Sequence, residues 1–159
     1  MMDAAEFRRI MGHFAAGVAI VSTRDPATDV PRGLTASAVA SVSLDPLLVL
    51  ACVEHGADSH DCIEAYGSFA VNVLAAGQEA LARRFAESPA EHKFEGVAHR
   101  TESTGAPVLE GALAWVDCRV WAAYPGGDHT IFVGEVEAGG ARDDEPLIYF
   151  RGGYGRLSS

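Results

Sequence analysis

At 159 residues the chain is long enough for one domain, spanning 1–159, with a full hydrophobic core, and too short for two. A hydrophobic content of 48% excludes a disordered tail protein. The 12 Lys and Arg against 22 Asp and Glu give a formal net charge of −10, which repels polyphosphate backbones and argues against nucleic acid or an anionic membrane as partner.

The first predicted helix runs from about Ala4 to Phe14. Asp3 and Glu6 stand at capping-box spacing, Phe7, Ile10, Met11 and Phe14 recur at helical intervals, and Gly17 is expected to end it. VAIVST (18–23) reads as a strand, and DPATDVPRG supplies the turn chemistry of a hairpin. LTASAVASVSLDP (34–46) is rich in small and hydroxyl residues. LLVLACV (47–53) is a continuous apolar run, expected to be a strand covered on both faces. Asp58 or Ser59 caps a short predicted helix through Tyr66, and FAVNVL (69–74) is a further strand. QEALARRFAES (78–88) sets Ala80, Leu81, Arg84 and Phe85 at helical spacing and ends at Pro89. GALAWVDCRVWAAY (111–124) predicts one long strand or two short ones. A Gly-Gly-Asp turn then leads into HTIFVGEVEAG (129–139), and PLIYF (146–150) closes the series. Strands dominate and do not alternate regularly with helices. That predicts a mainly β fold, an antiparallel barrel with short peripheral helices, and not a Rossmann sheet. Closure would also remove exposed edges.

No apolar stretch is long enough to span a bilayer, and MMDAAEFRRIMGHF has no signal-peptide core, so a cytoplasmic location is expected. Cys52, Cys62 and Cys118 are widely spaced and fit a reducing compartment better than a disulfide framework.

Candidate sites carry both plain and functional readings. Thr35, Ser37, Ser41 and Ser43 share parity, so an unbroken strand would set them on one face. That face is either solvent-directed or, because its residues are small, open to close backbone approach by a flat polar ring. Arg83, Arg84, Lys93 and Arg100 are near enough in sequence to serve an anion, though such cations are commonly plain surface. In CVEHGADSHDC (52–62), Cys52, His55, His60 and Cys62 match zinc-ligand spacing only in part, and no metal is expected. Ser59, at a helix start, is either an N-cap or part of an anion site. There is no G-x-S-x-G for nucleophilic hydrolysis, and no G-x-G-x-x-G for a Rossmann-type nicotinamide site. His129 follows the Gly-Gly-Asp turn at the mouth of an apolar strand, as a turn residue or as the wall of a site.

The ordered segments FAAGVAIVST, GLTASAVASVSLDPLLVLACV, FAVNVL, RRFA, PVLEGALAWVDCRV, GDHTIFVGEV and PLIYFRGGYG resemble the flavin reductase-like family. Its members include the small reductase components of two-component flavin monooxygenases. The likeness runs from about Phe7 to Tyr154. It implies an FMN-binding split barrel of antiparallel Greek-key type working as a homodimer. It also implies FMN or FAD in a groove near the dimer interface, with NADH or NADPH as hydride donor. By the same resemblance Thr35, Ala36, Ser37 and Ala38 border the isoalloxazine, largely through backbone groups, and Ser41, Val42 and Ser43 continue that contact. Ser59 would sit at the phosphate, Asn72 would face the flavin chain, and Arg84 and Phe85 would lie near the same end. His129 matches the family's histidine at the nicotinamide side, and Tyr154 an aromatic close to that face. Ala38 stands where the family often has an aromatic, Leu47 where it has a second proline, and Ala57 leaves one hydroxyl where two are usual. The activity implied is reduction of free flavin for a partner monooxygenase. The alternatives are a flavoprotein that keeps its FMN and reduces ferric iron or an organic acceptor, or a non-catalytic flavin- or haem-binding module.

Overall fold

The computed structural model of the protein describes residues 1–158. Helix α1 spans Ala4–Met11, and the Asp3 carboxylate accepts a hydrogen bond from the Glu6 N–H at its start. Only half of the capping box forms, because the Glu6 side chain pairs with Arg9. The helix stops at Gly12, whose N–H bonds to the Arg8 carbonyl, and Gly17 belongs instead to β1 (Ala16–Gly17). No residue of α1 is buried, so its apolar stripe of Phe7, Ile10 and Met11 stays exposed.

β2 (Ala19–Arg24) and β3 (Pro31–Ala36) form the expected hairpin, with Val21 opposite Leu34. The Asp25 carboxylate accepts from the Ala27 N–H in its loop, the local bond that makes aspartate a turn residue. β4 (Val39–Leu44) and β5 (Leu47–Glu54) make a second hairpin, followed by α2 (His60–Tyr66), which ends on Gly67 at φ 80°. Next come β6 (Ser68–Val73), α3 (Glu79–Glu87) and the short pair β7 (His99–Thr101) and β8 (Pro107–Leu109). β9 (Ala114–Gly126) is one long strand, hairpinned to β10 (His129–Ala141). β11 (Ile148–Phe150) and β12 (Gly153–Gly155) join β1 in a small three-stranded sheet.

The main sheet has seven strands in the order β3–β2–β6–β9–β10–β5–β4, paired antiparallel throughout. Its two edge strands, β3 and β4, are joined by Ser37 and Ala38 alone, so the sheet must curl until its edges meet. The Cys52 N–H, bonded to the Ala38 carbonyl, fastens that corner. The result is the mainly β, antiparallel Greek-key split barrel with short helices at its periphery. Inside it Val21, Ile63, Phe69, Val71, Cys118 and Phe132 pack together. Each fully buried phenylalanine there contributes roughly 1.5–3 kcal/mol. Gly134 is required by this packing, since a Cβ would lie 2.7 Å from both the Phe69 ring and Cys118. A second cluster, with Ile20, Leu74, Phe85 and Leu109, is sealed by α3.

Two expectations are corrected here. β5 is not covered on both faces: only Ala51 and Val53 are buried, and Leu47 is half exposed. Nor do the four hydroxyl residues share one face. The strand breaks at Ser37–Ala38, and a bulge at Val42 sets Ser41 opposite Val49 but Ser43 opposite Leu48. Parity fixes a face only while the strand is continuous.

Candidate functional site

The Ser37–Ala38 corner, where the sheet edges meet, is also where the cavities gather. Four hollows share parts of the segment Thr35–Ala38. The largest, about 550 Å³, is apolar and lies between residues 14–19 and 37–40. One of about 230 Å³ is flanked by Tyr149 and Tyr154. Another, about 200 Å³, sets Cys52, Glu54 and His129 against Thr35–Ala38. The fourth, about 380 Å³, runs past Thr35 and Phe85 to Gly56, Asp58 and Lys93. Thr35–Ala38 thus forms the shared wall of a branched groove.

That wall is set by its neighbours. The Thr35 hydroxyl donates to the Ala82 carbonyl at 2.5 Å, tying the strand to α3 and leaving backbone and small side chains toward the groove. β3 is an edge strand, so every second N–H and C=O along it is free of the sheet.

His129 is placed by a tight hairpin whose first loop residue, Gly127, takes φ 71°, and it lies opposite Glu54. Its Nδ1 is 2.7 Å from Asp128 Oδ1. A carboxylate only accepts, so Nδ1 carries a proton, and Nε2 has no partner among the described residues. The same bond holds the Asp128 carboxyl below the usual carboxylate range. Beside it, buried His60 donates from Nδ1 to Asp61 and accepts at Nε2 from the Thr130 hydroxyl, 2.7 Å away. That contact locks the start of α2 to the start of β10.

On the opposite branch the Tyr149 and Tyr154 rings lie 5.4 Å apart, and the Arg83 guanidinium stands 4.9 Å over the Tyr154 ring. Burial pushes the Tyr154 phenol up, partly opposed by Arg83, so it remains a neutral donor. At the far end Lys93 Nζ, with its side chain 8% exposed, donates to Asp58 Oδ1 at 2.7 Å and to the Gly33 carbonyl at 3.0 Å. Close by, Ser59 is fully buried, and its Oγ is the one buried side-chain polar atom without a partner among the described residues. An unpaired buried hydroxyl costs about 1–3 kcal/mol. A groove with a flat, small-residue wall, two tyrosines and an ammonium fits a planar ring system carrying an anionic tail.

The structure brings Thr35, Ala36, Ser37, Ala38, Phe85, His129 and Tyr154 to this groove. It does not bring the others. Ser41 and Val42 are exposed on the bulged edge strand, and Ser43 accepts from the Asp45 N–H; none of the three lines the groove. Asn72 is fully buried: its amide donates to the Ile20 carbonyl and the Ser22 hydroxyl, and its Oδ1 accepts from the Leu109 N–H. With every polar atom engaged, it holds β2, β6 and β8 together and has nothing left for a ligand. Arg84 turns to the Glu95 carbonyl, 2.6 Å away. Ser59 makes no capping bond, and Asp58, the other expected cap, is held by Lys93. Among the described residues no three His, Cys, Asp or Glu side chains converge as metal ligands. The residue that spacing undervalued is Lys93, counted only among nearby cations. The available signal was composition, since it is the sole lysine of the chain.

A family model described as "Flavin reductase like domain" matches residues 11–158. The "NADH-dependent FAD reductase" of Streptomyces globisporus is 44% identical over 138 residues, covering 84% of this chain and 74% of that protein. The reductase component of a 4-nitrophenol 4-monooxygenase/4-nitrocatechol 2-monooxygenase from Rhodococcus opacus is 42% identical over 156 residues, covering 98% and 82%. Among solved structures, the Streptomyces globisporus C-1027 NADH:FAD oxidoreductase SgcE6 in complex with NAD and FAD fragments superposes with a TM-score of 0.91. It has 40% identity and covers 98% of this chain and 93% of its own.

Proposed function

The chain belongs to the flavin reductase-like family, and from that premise we propose that it is an NAD(P)H:flavin oxidoreductase, reducing FMN or FAD and supplying the reduced flavin to a partner monooxygenase. The observation that carries this is the branched groove, in which one wall, Thr35–Ala38, faces His129 on one branch and Lys93 on another. Relatives support it: one is named for NADH-dependent FAD reduction, another as the reductase component of a monooxygenase.

When both cofactors are bound, they supply the chemistry, a hydride passing from nicotinamide to flavin. The chain's own residues position and exclude. The small side chains of Ala36 and Ala38 allow close approach to the backbone, and free edge N–H groups there oppose negative charge gained on reduction. His129, its Nδ1 proton fixed by Asp128, offers Nε2 as an acceptor and orients a carboxamide through the NH₂ group. Tyr149 and Tyr154 keep water from the branch they flank.

Residues 1–159 act as one unit in a homodimer. The exposed apolar stripe of α1, with Val42, Leu44 and Leu47 exposed at the β4–β5 edge, supports a second copy there. Three free thiols support a reducing cytoplasm, and no helix among the described residues is long and apolar enough to cross a membrane. Extensive dialysis followed by a nicotinamide absorbance assay tests the reading. Loosely held colour and turnover that rises with added FMN or FAD are expected. Tightly held yellow colour points to a flavin-retaining enzyme, and binding without turnover to a non-catalytic module. A monomer in solution scattering removes the dimer.

A further inference from the structure

Residues 123–128, the tip of the β9–β10 hairpin, are all exposed, and a Cβ added at Gly127 would meet nothing within 4 Å. Packing at the tip itself therefore does not fix how it leans, and an exposed tip is where a sheet opens first. The holds come from the segment after β5. The His55 N–H donates to the Asp128 carbonyl at 2.9 Å, and buried His60 bonds through Nε2 to the Thr130 hydroxyl at 2.7 Å. These two contacts fasten the residues on either side of His129. Successive side chains of a strand point to opposite faces. Thr130 shares its face with Phe132 of the barrel core, whereas His129 lies opposite Glu54 and lines the groove with it. His60 is fixed in turn. Its Nδ1 donates to Asp61 at 2.8 Å, and its ring meets those of His55 and Phe132 at 5.0 and 5.5 Å. An aliphatic residue would fill the place beside Phe132 with no polar atoms to satisfy, so packing alone does not call for an imidazole there.

Resting on the role given to His129 above, we propose that His60 is a positioning residue for nicotinamide binding, holding the start of β10 through the Thr130 hydroxyl so that His129 keeps its place in the groove. Neither His60 nor Thr130 lines any of the four hollows, so both act through the backbone of β10 and not on a ligand. A displacement of about 1 Å is enough to spoil the alignment of an orienting group. The flavin wall is indifferent to this hold, because Thr35 is tied separately to the Ala82 carbonyl and Ala38 to the Cys52 N–H.

Steady-state kinetics of the intact protein with NADH and FMN, arranged as a double-mutant cycle, test this. Thr130→Val keeps the branched side chain and removes the hydroxyl. It should raise the NADH KM several-fold, the scale of one hydrogen bond, and leave the FMN KM within about twofold. Thr130→Ser, which keeps the hydroxyl, should restore the wild-type NADH KM. The decisive arm is the His129→Ala background, where Thr130→Val should change the NADH KM by less than about twofold, because the group it positions is gone. An equal rise in both backgrounds, no rise in either, or FMN and NADH KM rising in step overturns the inference while leaving His129 in its role. An unchanged NADH KM in His129→Ala alone overturns that role and the inference with it. Should Thr130→Val not fold, His60→Leu in the same two backgrounds is read by the same outcomes.

Discussion

Five of the six residues of β6 are buried, whereas β5, eight residues long and at least as apolar in sequence, buries only Ala51 and Val53. β6 lies mid-sheet between β2 and β9, and its residues feed the barrel core through Phe69 and Val71 on one side and a small cluster of Ala70 with Ala106 and Val108 on the other. β5 runs beside the edge strand β4 and ends at the groove, where Cys52 and Glu54 line a cavity instead of packing. One half of the barrel is a framework with its polar groups satisfied; the other is left open, which is where a ligand has room.

Substitutions can break or sharpen that contrast. Phe69→Ala in β6 should cost about 3–5 kcal/mol in a denaturant unfolding experiment. Asn72→Ala should cost about 1–3 kcal/mol, because the Leu109 N–H and Ser22 hydroxyl lose a buried partner. The flavin KM of whatever protein folds should not change, and a large rise would return Asn72 to the site. His129→Ala should move stability by less than about 0.5 kcal/mol while raising the nicotinamide KM several-fold, roughly the loss of one oriented hydrogen bond. An unchanged KM and turnover would remove His129 from the groove's function. The smallest effect is Asp128, fully exposed and held low by the His129 bond. Its NMR titration midpoint should lie below the ordinary value of about 3.9 and return there in His129→Ala. The sign follows from linkage: the contribution is present above the unfolded-state pKa and disappears as pH falls through the folded one.

Local pattern was enough for the β2–β3 hairpin, β6, α3 and the long β9–β10 hairpin, because period, turn residues and caps act over a few positions. It was not enough for the hydroxyl run, where barrel closure turns the chain at Ser37–Ala38 and a bulge follows at Val42. Closure is a property of the whole sheet order and leaves no local mark. Thr35–Ala38, His129 and Tyr154, which the family resemblance singled out, line the groove. Asn72 lies buried outside the groove, and from the sequence a polar residue in an apolar strand looks the same whether it meets a ligand or the edge of β8. Lys93 was underweighted because sequence proximity to surface arginines conceals a buried ion pair formed 35 positions away.

On the proposed function, the open half of the barrel passes reducing equivalents from a nicotinamide to a diffusible flavin. Loss of the NADH absorbance, followed with dialysed protein as free FMN or FAD is increased, tests it most directly. The expected result is negligible oxidation without flavin and a saturable rise with it. Oxidation that is independent of added flavin, or none at any flavin concentration, would contradict the account.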